Sequence, residues 1–128
     1  MSPIEQQTVH AGPLELRISR AGETRLIQLD GELDLANAKA LEAELDAALG
    51  DGHGHVIVDM GDLAFIDSTG LALLVSVLGR DGDGSRLRFV PSRTAAVKRV
   101  LKLTGIDERL PFIEAAAGDD RVGAPNAG

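Results

Sequence analysis

The stretch Val56-Ile-Val-Asp-Met-Gly-Asp-Leu-Ala-Phe-Ile-Asp-Ser-Thr-Gly-Leu71 decides how the chain folds. Val56, Ile57 and Val58 form a continuous β-branched run, which predicts a strand buried on both faces. That strand is expected to end near Asp59, with a short loop carrying Phe65, Ile66 and Asp67. Ser68, Thr69 and Gly70 then open a helix reaching to about Leu78. This order puts the loop at the carboxyl end of a strand, where open α/β sheets hold their ligand sites.

Two compatible readings of the helix start follow. In one, Asp67 or Ser68 caps the helix by accepting from backbone N–H groups two or three residues on. In the other, Ser68 is a phosphorylation site, its phosphate meeting unpaired N–H groups and the positive end of the helix dipole. The helix itself, Leu71-Ala-Leu-Leu-Val-Ser-Val-Leu78, is apolar around nearly its whole circumference. Such a helix is either fully buried or partly covered by a partner. Leu71, Leu74, Val75 and Leu78 are expected to share the core-facing stripe. Ala72, Leu73 and Ser76 are expected on a flat, more exposed surface of small residues.

Towards the N-terminus, Leu14, Leu16 and Ile18 alternate with Glu15, Arg17 and Ser19. After a turn over Arg20 to Glu23, Leu26, Ile27 and Leu29 resume, predicting an antiparallel hairpin. From Leu35 to Leu49 the period becomes helical, with Leu35, Ala38, Leu41, Leu45, Ala48 and Leu49 on one face. Asp34, in Asp30-Gly-Glu-Leu-Asp34, is placed to cap that helix. It also lies across from Ser68 if both motifs meet at one end of the sheet, as their positions after strands imply.

Towards the C-terminus, Gly50 to Gly54 is a turn cluster, and Leu87, Phe89 and Val90 carry the next strand. Ser92 or Thr94 can cap a third helix whose buried face is Val97, Val100 and Leu101. Gly105 ends that helix, and Phe112 with Ile113 suggests a short final strand. The order β-β-α-β-α-β-α-(β) reads as α/β, a mixed sheet with an antiparallel N-terminal hairpin and covering helices. Residues 1–13 show no period and residues 115–128 mix Gly, Ala, Asp and Pro. A single domain over 14–114 between two flexible segments is the expectation.

Composition narrows the function. A chain of 128 residues with 44% apolar content suits one domain with its own core. Without cysteine there is no disulfide, thiolate metal site or cysteine nucleophile. A net charge of −7 repels phosphate backbones, and three phenylalanines without tyrosine or tryptophan offer no platform for bases, so no direct nucleic-acid partner is expected. The longest apolar run, Leu71 to Leu78, is far below the roughly 18–20 residues of a membrane span. Met1 to Gly12 lacks the basic start and apolar block of an export signal, so a cytoplasmic protein with no membrane partner is expected. His53 and His55, at i and i+2 in a glycine loop, make a poor metal site and read as solvated residues. Gly79, Gly82 and Gly84 lack the lysine and spacing of a phosphate loop. No base is identifiable beside Ser68, so no catalytic residue, metal or cofactor is assigned.

Four segments together resemble the STAS domains of bacterial anti-sigma factor antagonists. These are Asp30-Gly-Glu-Leu-Asp34, Val58-Asp59, Phe65-Ile-Asp-Ser-Thr-Gly-Leu71 and Val97-Lys-Arg-Val-Leu-Lys-Leu-Thr-Gly-Ile106. The resemblance runs from about Leu14 to Ile113. It implies a partner-switching regulator of transcription with no catalysis of its own. The unphosphorylated form would bind an anti-sigma factor that is also a serine kinase, freeing the sigma factor. Phosphorylation of Ser68 would switch binding off, and a serine phosphatase would restore it. The expected partner surface comprises Asp34, Asp67, Ser68, Thr69, Gly70, Ala72, Leu73 and Ser76. A constitutive STAS scaffold, or a subunit of a lipid-transport or sensory complex, is the alternative the same resemblance implies.

Overall fold

Five strands form one sheet in the computed structural model, which describes residues 5–50, 52 and 54–113. They are β1 (Glu5–Ala11), β2 (Leu14–Ala21), β3 (Thr24–Leu33), β4 (His55–Ile66) and β5 (Leu87–Val90), and they lie side by side in chain order. β1, β2 and β3 pair antiparallel, while β3, β4 and β5 pair parallel. Helix α1 (Ala38–Gly50) joins β3 to β4, α2 (Ser68–Leu78) joins β4 to β5, and α3 (Ala95–Leu103) follows β5. A single domain with a mixed sheet is thus what the sequence leads one to expect.

One face of the sheet is the core. Leu14 and Leu16 of β2, Ile27 and Leu29 of β3, Val56 and Val58 of β4, and Leu87 and Phe89 of β5 are all buried. The helices press their own stripes into the same cluster: Leu41, Leu45 and Leu49 from α1, Leu74 and Val77 from α2, Val97 and Leu101 from α3. Each such side chain taken out of water contributes roughly 1.5–3 kcal/mol, and these contacts fix the helices to the sheet. The other face is more open. Arg17, Gln28, Asp59 and Val90 sit side by side across it, each only half-buried. Ile57 belongs to that face, so β4 is buried on one side and not on both as its β-branched run suggests.

Other boundaries differ from the sequence reading. Glu5–Ala11, within the stretch expected to be flexible, is a strand paired over its whole length with β2. It offers the core only the partly buried Val9, so the backbone ladder, invisible to a hydrophobic pattern, holds it. β4 does not stop at Asp59 but runs to Ile66, with register shifts against β3 that absorb the Gly61 region. The final strand reduces to one bridge between Phe89 and Phe112. Residues 115–128 and His53 lie outside the described residues. Among those described, no helix is long and apolar enough to cross a membrane and no acidic–histidine cluster is placed to hold a metal.

Candidate functional site

The carboxyl ends of β3 and β4 lie together because the strands are parallel, with Glu32 opposite Phe65 and Leu33 opposite Ile66. The two segments that leave them are therefore neighbours. Asp67 follows β4, and its N–H donates to the Leu33 carbonyl at 3.2 Å. Its backbone is extended and its Oδ1 accepts from the Gly70 N–H at 3.0 Å, so Asp67 is the cap of α2. Its other oxygen, Oδ2, accepts from the Leu35 N–H at 3.2 Å. One carboxylate thus satisfies a free donor of α2 and ties the β3–α1 connection to it. Of the two candidate caps, Asp67 does the capping. Ser68 is left as the exposed first residue of the helix, next to the positive end of its dipole.

Two glycines make this meeting possible. At Gly70 a Cβ would lie 2.8 Å from Cγ1 of Ile66 and 2.9 Å from Cγ of Leu33, so any larger residue would push α2 away from the strand ends. At Gly31 the backbone has φ +115, and a Cβ would stand 2.1 Å from the Pro13 carbonyl oxygen. The Glu32 N–H donates to that same oxygen at 3.0 Å, anchoring the end of β3 to the β1–β2 hairpin.

The connection after β3 is a turn before it is a helix. Asp34 Oδ1 accepts from the Ala36 N–H at 3.0 Å, and the Asp34 carbonyl accepts from Asn37 and Ala38. Asn37 completes the turn. Its Oδ1 accepts from the Asp34 N–H at 2.9 Å, while its Nδ2 donates to the carbonyls of Glu32 and Ala11. The Asn37 carbonyl then accepts from Leu41, which opens α1. Asp34 therefore caps the turn that leads into α1, and the helix starts at Ala38 and not at Leu35. Leu35, expected on the buried face, is instead 75% exposed. Asn37 is a site-building residue that the sequence reading passed over. Its signal was present as an asparagine three residues after Asp34, both of them helix-initiating types.

The surface around Ser68 also differs from expectation along α2. The buried residues are Gly70, Leu73, Leu74 and Val77, a stripe at i, i+3, i+4 and i+7. Leu73, expected at the surface, is only 7% exposed, while Leu71, Val75 and Leu78 are half-buried. The correction is a rotation of the helix about its axis, set by the contact of Gly70 with Leu33 and Ile66. Ala72 and Ser76 are exposed as expected, and Thr69 is half-buried. Ser76 Oγ accepts from Arg80, whose guanidinium also reaches Glu42 at 2.7 Å and Asp46 at 2.8 Å on α1. Phe65, two residues before Asp67 and 47% exposed, and Leu35, whose N–H bonds Asp67, are both large apolar side chains left uncovered. The site is therefore an exposed hydroxyl flanked by carboxylates and two uncovered apolar side chains.

A family model described as "Mlab, STAS domain" matches residues 16–114. The chain is 26% identical over 83 residues to the anti-sigma-F factor antagonist RsfB of Mycobacterium tuberculosis (strain CDC 1551 / Oshkosh), covering 65% of this chain and 67% of that one. Among solved structures, an anti-sigma factor antagonist from Mycobacterium paratuberculosis superposes with a TM-score of 0.66 at 24% identity, covering 86% of this chain and 85% of the other. SpoIIAA in its unphosphorylated form gives a TM-score of 0.60 at 20% identity over 94% of this chain and 100% of its own. The same protein of Bacillus in its phosphorylated form gives 0.54 at 20% identity, covering 91% and 100%. At these identities the solved structures speak for the fold.

Proposed function

Because the chain belongs to the STAS-domain family, matched over residues 16–114, we propose that it is an anti-sigma factor antagonist that works by binding and not by catalysis. Its unphosphorylated surface about Ser68 binds an anti-sigma factor that is also a serine kinase, and the held sigma factor is released. The kinase phosphorylates Ser68, the complex falls apart, and a serine phosphatase resets the switch in the cytoplasm. The observation that carries this reading is the exposure of Ser68 at the start of α2 while Asp67 performs the capping. A hydroxyl that is not needed for the fold can be modified without unfolding it. The proposed contact surface is Asp34, Asp67, Ser68, Thr69, Gly70, Ala72 and Ser76, with Leu35 and Phe65 taking the place of the buried Leu73 as apolar anchors. The curated relative RsfB bears the name of an anti-sigma-F factor antagonist, and SpoIIAA has been solved with and without phosphate; both support the reading.

The physics of the switch is local charge. A phosphate adds about 1.5–2 negative charges, here beside Asp67 and close to the Asp34 turn. Repulsion and desolvation then act on a contact centred there. The test is incubation with the cognate kinase and ATP followed by mass spectrometry. One phosphate on Ser68 is expected; phosphate on Thr69 or Ser76 instead, or no phosphate at all, rejects the reading.

The match to a model described as Mlab, and not as an antagonist, favours one second reading: a STAS subunit that binds constitutively in a lipid-transport or sensory complex. The protein isolated from its native cell separates the two. The switch requires a fraction carrying phosphate at Ser68, and the constitutive subunit carries none.

A further inference from the structure

The two outer edges of the sheet are finished differently. Beyond β5, the Phe89 N–H donates to the Pro111 carbonyl at 3.0 Å and the Ile113 N–H donates to the Phe89 carbonyl at 2.9 Å, so that edge is occupied. Beyond β1 no strand follows among the described residues. Natural edges are usually blunted by proline, lysine, inward charges or bulges. Glu5-Gln-Gln-Thr-Val-His-Ala11 has no proline, no lysine and an unbroken register with β2, and its one carboxylate is at the first position.

The hairpin turns fix which backbone groups are left over. Ala11 and Leu14 are partners across the two-residue turn Gly12–Pro13, the position at which such a turn places a hydrogen-bonded pair. Alternation along the ladder then directs the groups of Val9 and Gln7 to β2 and those of Gln6, Thr8 and His10 to the free edge.

We propose that this edge pairs with β1 of a second copy of the chain, antiparallel about a two-fold axis at Thr8. In that register Thr8 faces Thr8, Gln6 faces His10, Gln7 faces Val9 and Glu5 faces Ala11. The outward groups of Gln6, Thr8 and His10 meet their counterparts as hydrogen-bonded pairs. A second copy is the occupant because the strand is complementary to itself: no charged residue opposes a like charge across the axis. The segment that builds β1, β2 and their turns carries equal numbers of the two charges. Within residues 5–25, Glu5, Glu15 and Glu23 are offset by Arg17, Arg20 and Arg25, although the whole chain carries −7. A cavity of about 260 Å³ lies beside the edge, where Gln6, Gln7 and Ile18 meet Arg20, Arg25 and Glu44. β2 and β3 separate β1 from β4, roughly 14 Å at the usual strand spacing, so both copies keep Ser68 accessible. The interface is isologous and closes at two copies.

Light scattering or sedimentation equilibrium on the intact chain tests this. The expected mass is twice that of one chain at high concentration, falling towards one on dilution. Thr8→Pro removes an outward donor without touching the β2 ladder and should give a single-chain mass with an unchanged circular dichroism spectrum. Thr8→Lys and Thr8→Glu each put like charges face to face at the axis and should each be monomeric, while their equimolar mixture should recover the doubled mass. A single-chain mass for the unmodified protein at every concentration overturns the proposal. So does a dimer that survives all three substitutions, or a Lys/Glu mixture that stays monomeric. The charge-swap pair keeps the test decisive should Thr8→Pro fail to fold.

Discussion

Two helices leave the same end of the sheet, and each has a serine near its start, yet the two serines do opposite jobs. Before α3, Ser92 is buried: its hydroxyl donates to the Leu63 carbonyl at 2.9 Å and accepts from the Thr94 N–H at 2.9 Å. Thr94, the cap residue there, makes no side-chain capping bond. Before α2, the capping bond comes from a carboxylate, Asp67, and Ser68 stands exposed one residue later. A buried hydroxyl with two partners holds β4 and α3 in register and is inaccessible to an enzyme. An exposed hydroxyl whose helix is already capped contributes little to stability and is open to modification. The difference is made by the neighbour that takes the capping role and by which side the hydroxyl faces.

The contrast can be broken in five ways. Phosphorylation of Ser68 should have the largest effect, weakening the anti-sigma factor complex about 100-fold, which is ~2.7 kcal/mol; calorimetry on the two forms measures it. Ser68→Asp should give only part of that loss, since one carboxylate carries less charge than a phosphate. Ser92→Ala acts on the fold instead. It strands the buried Leu63 carbonyl and should cost about 2 kcal/mol in urea unfolding, with no phosphate chemistry altered. Asp67→Ala removes the α2 cap and should cost ~1 kcal/mol, and it also frees the Leu35 N–H, so hydrogen exchange at Leu35 and Gly70 should quicken. Ser68→Ala should be smallest, within about 0.5 kcal/mol of the parent, and should keep partner binding. A Ser68→Ala cost equal to that of Ser92→Ala would erase the distinction between the two serines.

Much of this was legible along the chain. Period-two alternation in 14–19 identified β2, and helical spacing of Leu41, Leu45, Ala48 and Leu49 identified the buried face of α1. The Asp-Ser-Thr-Gly helix start could be placed after a strand because a capping residue and a β-branched run are local signals. Where the reading failed, the deciding contact was distant in sequence. Leu35 fits the α1 period but is held outside it by Asp67, 32 residues away, and by the Asp34–Asn37 turn. Leu73 lies in a run so uniformly apolar that no period orients it. The docking of Gly70 onto Leu33 and Ile66 does that. β1 carries no apolar alternation, since its partner is the backbone of β2.

By itself, then, the sequence determined the α/β class, the order of the elements, the acidic character and the position of Ser68 at a helix start. These follow from propensities and periodicities that act within a few residues. Tertiary structure alone decided that Asp67, tied to the Leu35 N–H, and not Ser68 caps α2, which face of α2 is buried, that Leu35 and Phe65 are exposed, and that among the described residues one sheet edge is occupied while the other is open. Each of these depends on strands brought side by side. A local pattern fixes what a segment can form, whereas its rotation and its neighbours are set by the packing of residues tens of positions apart.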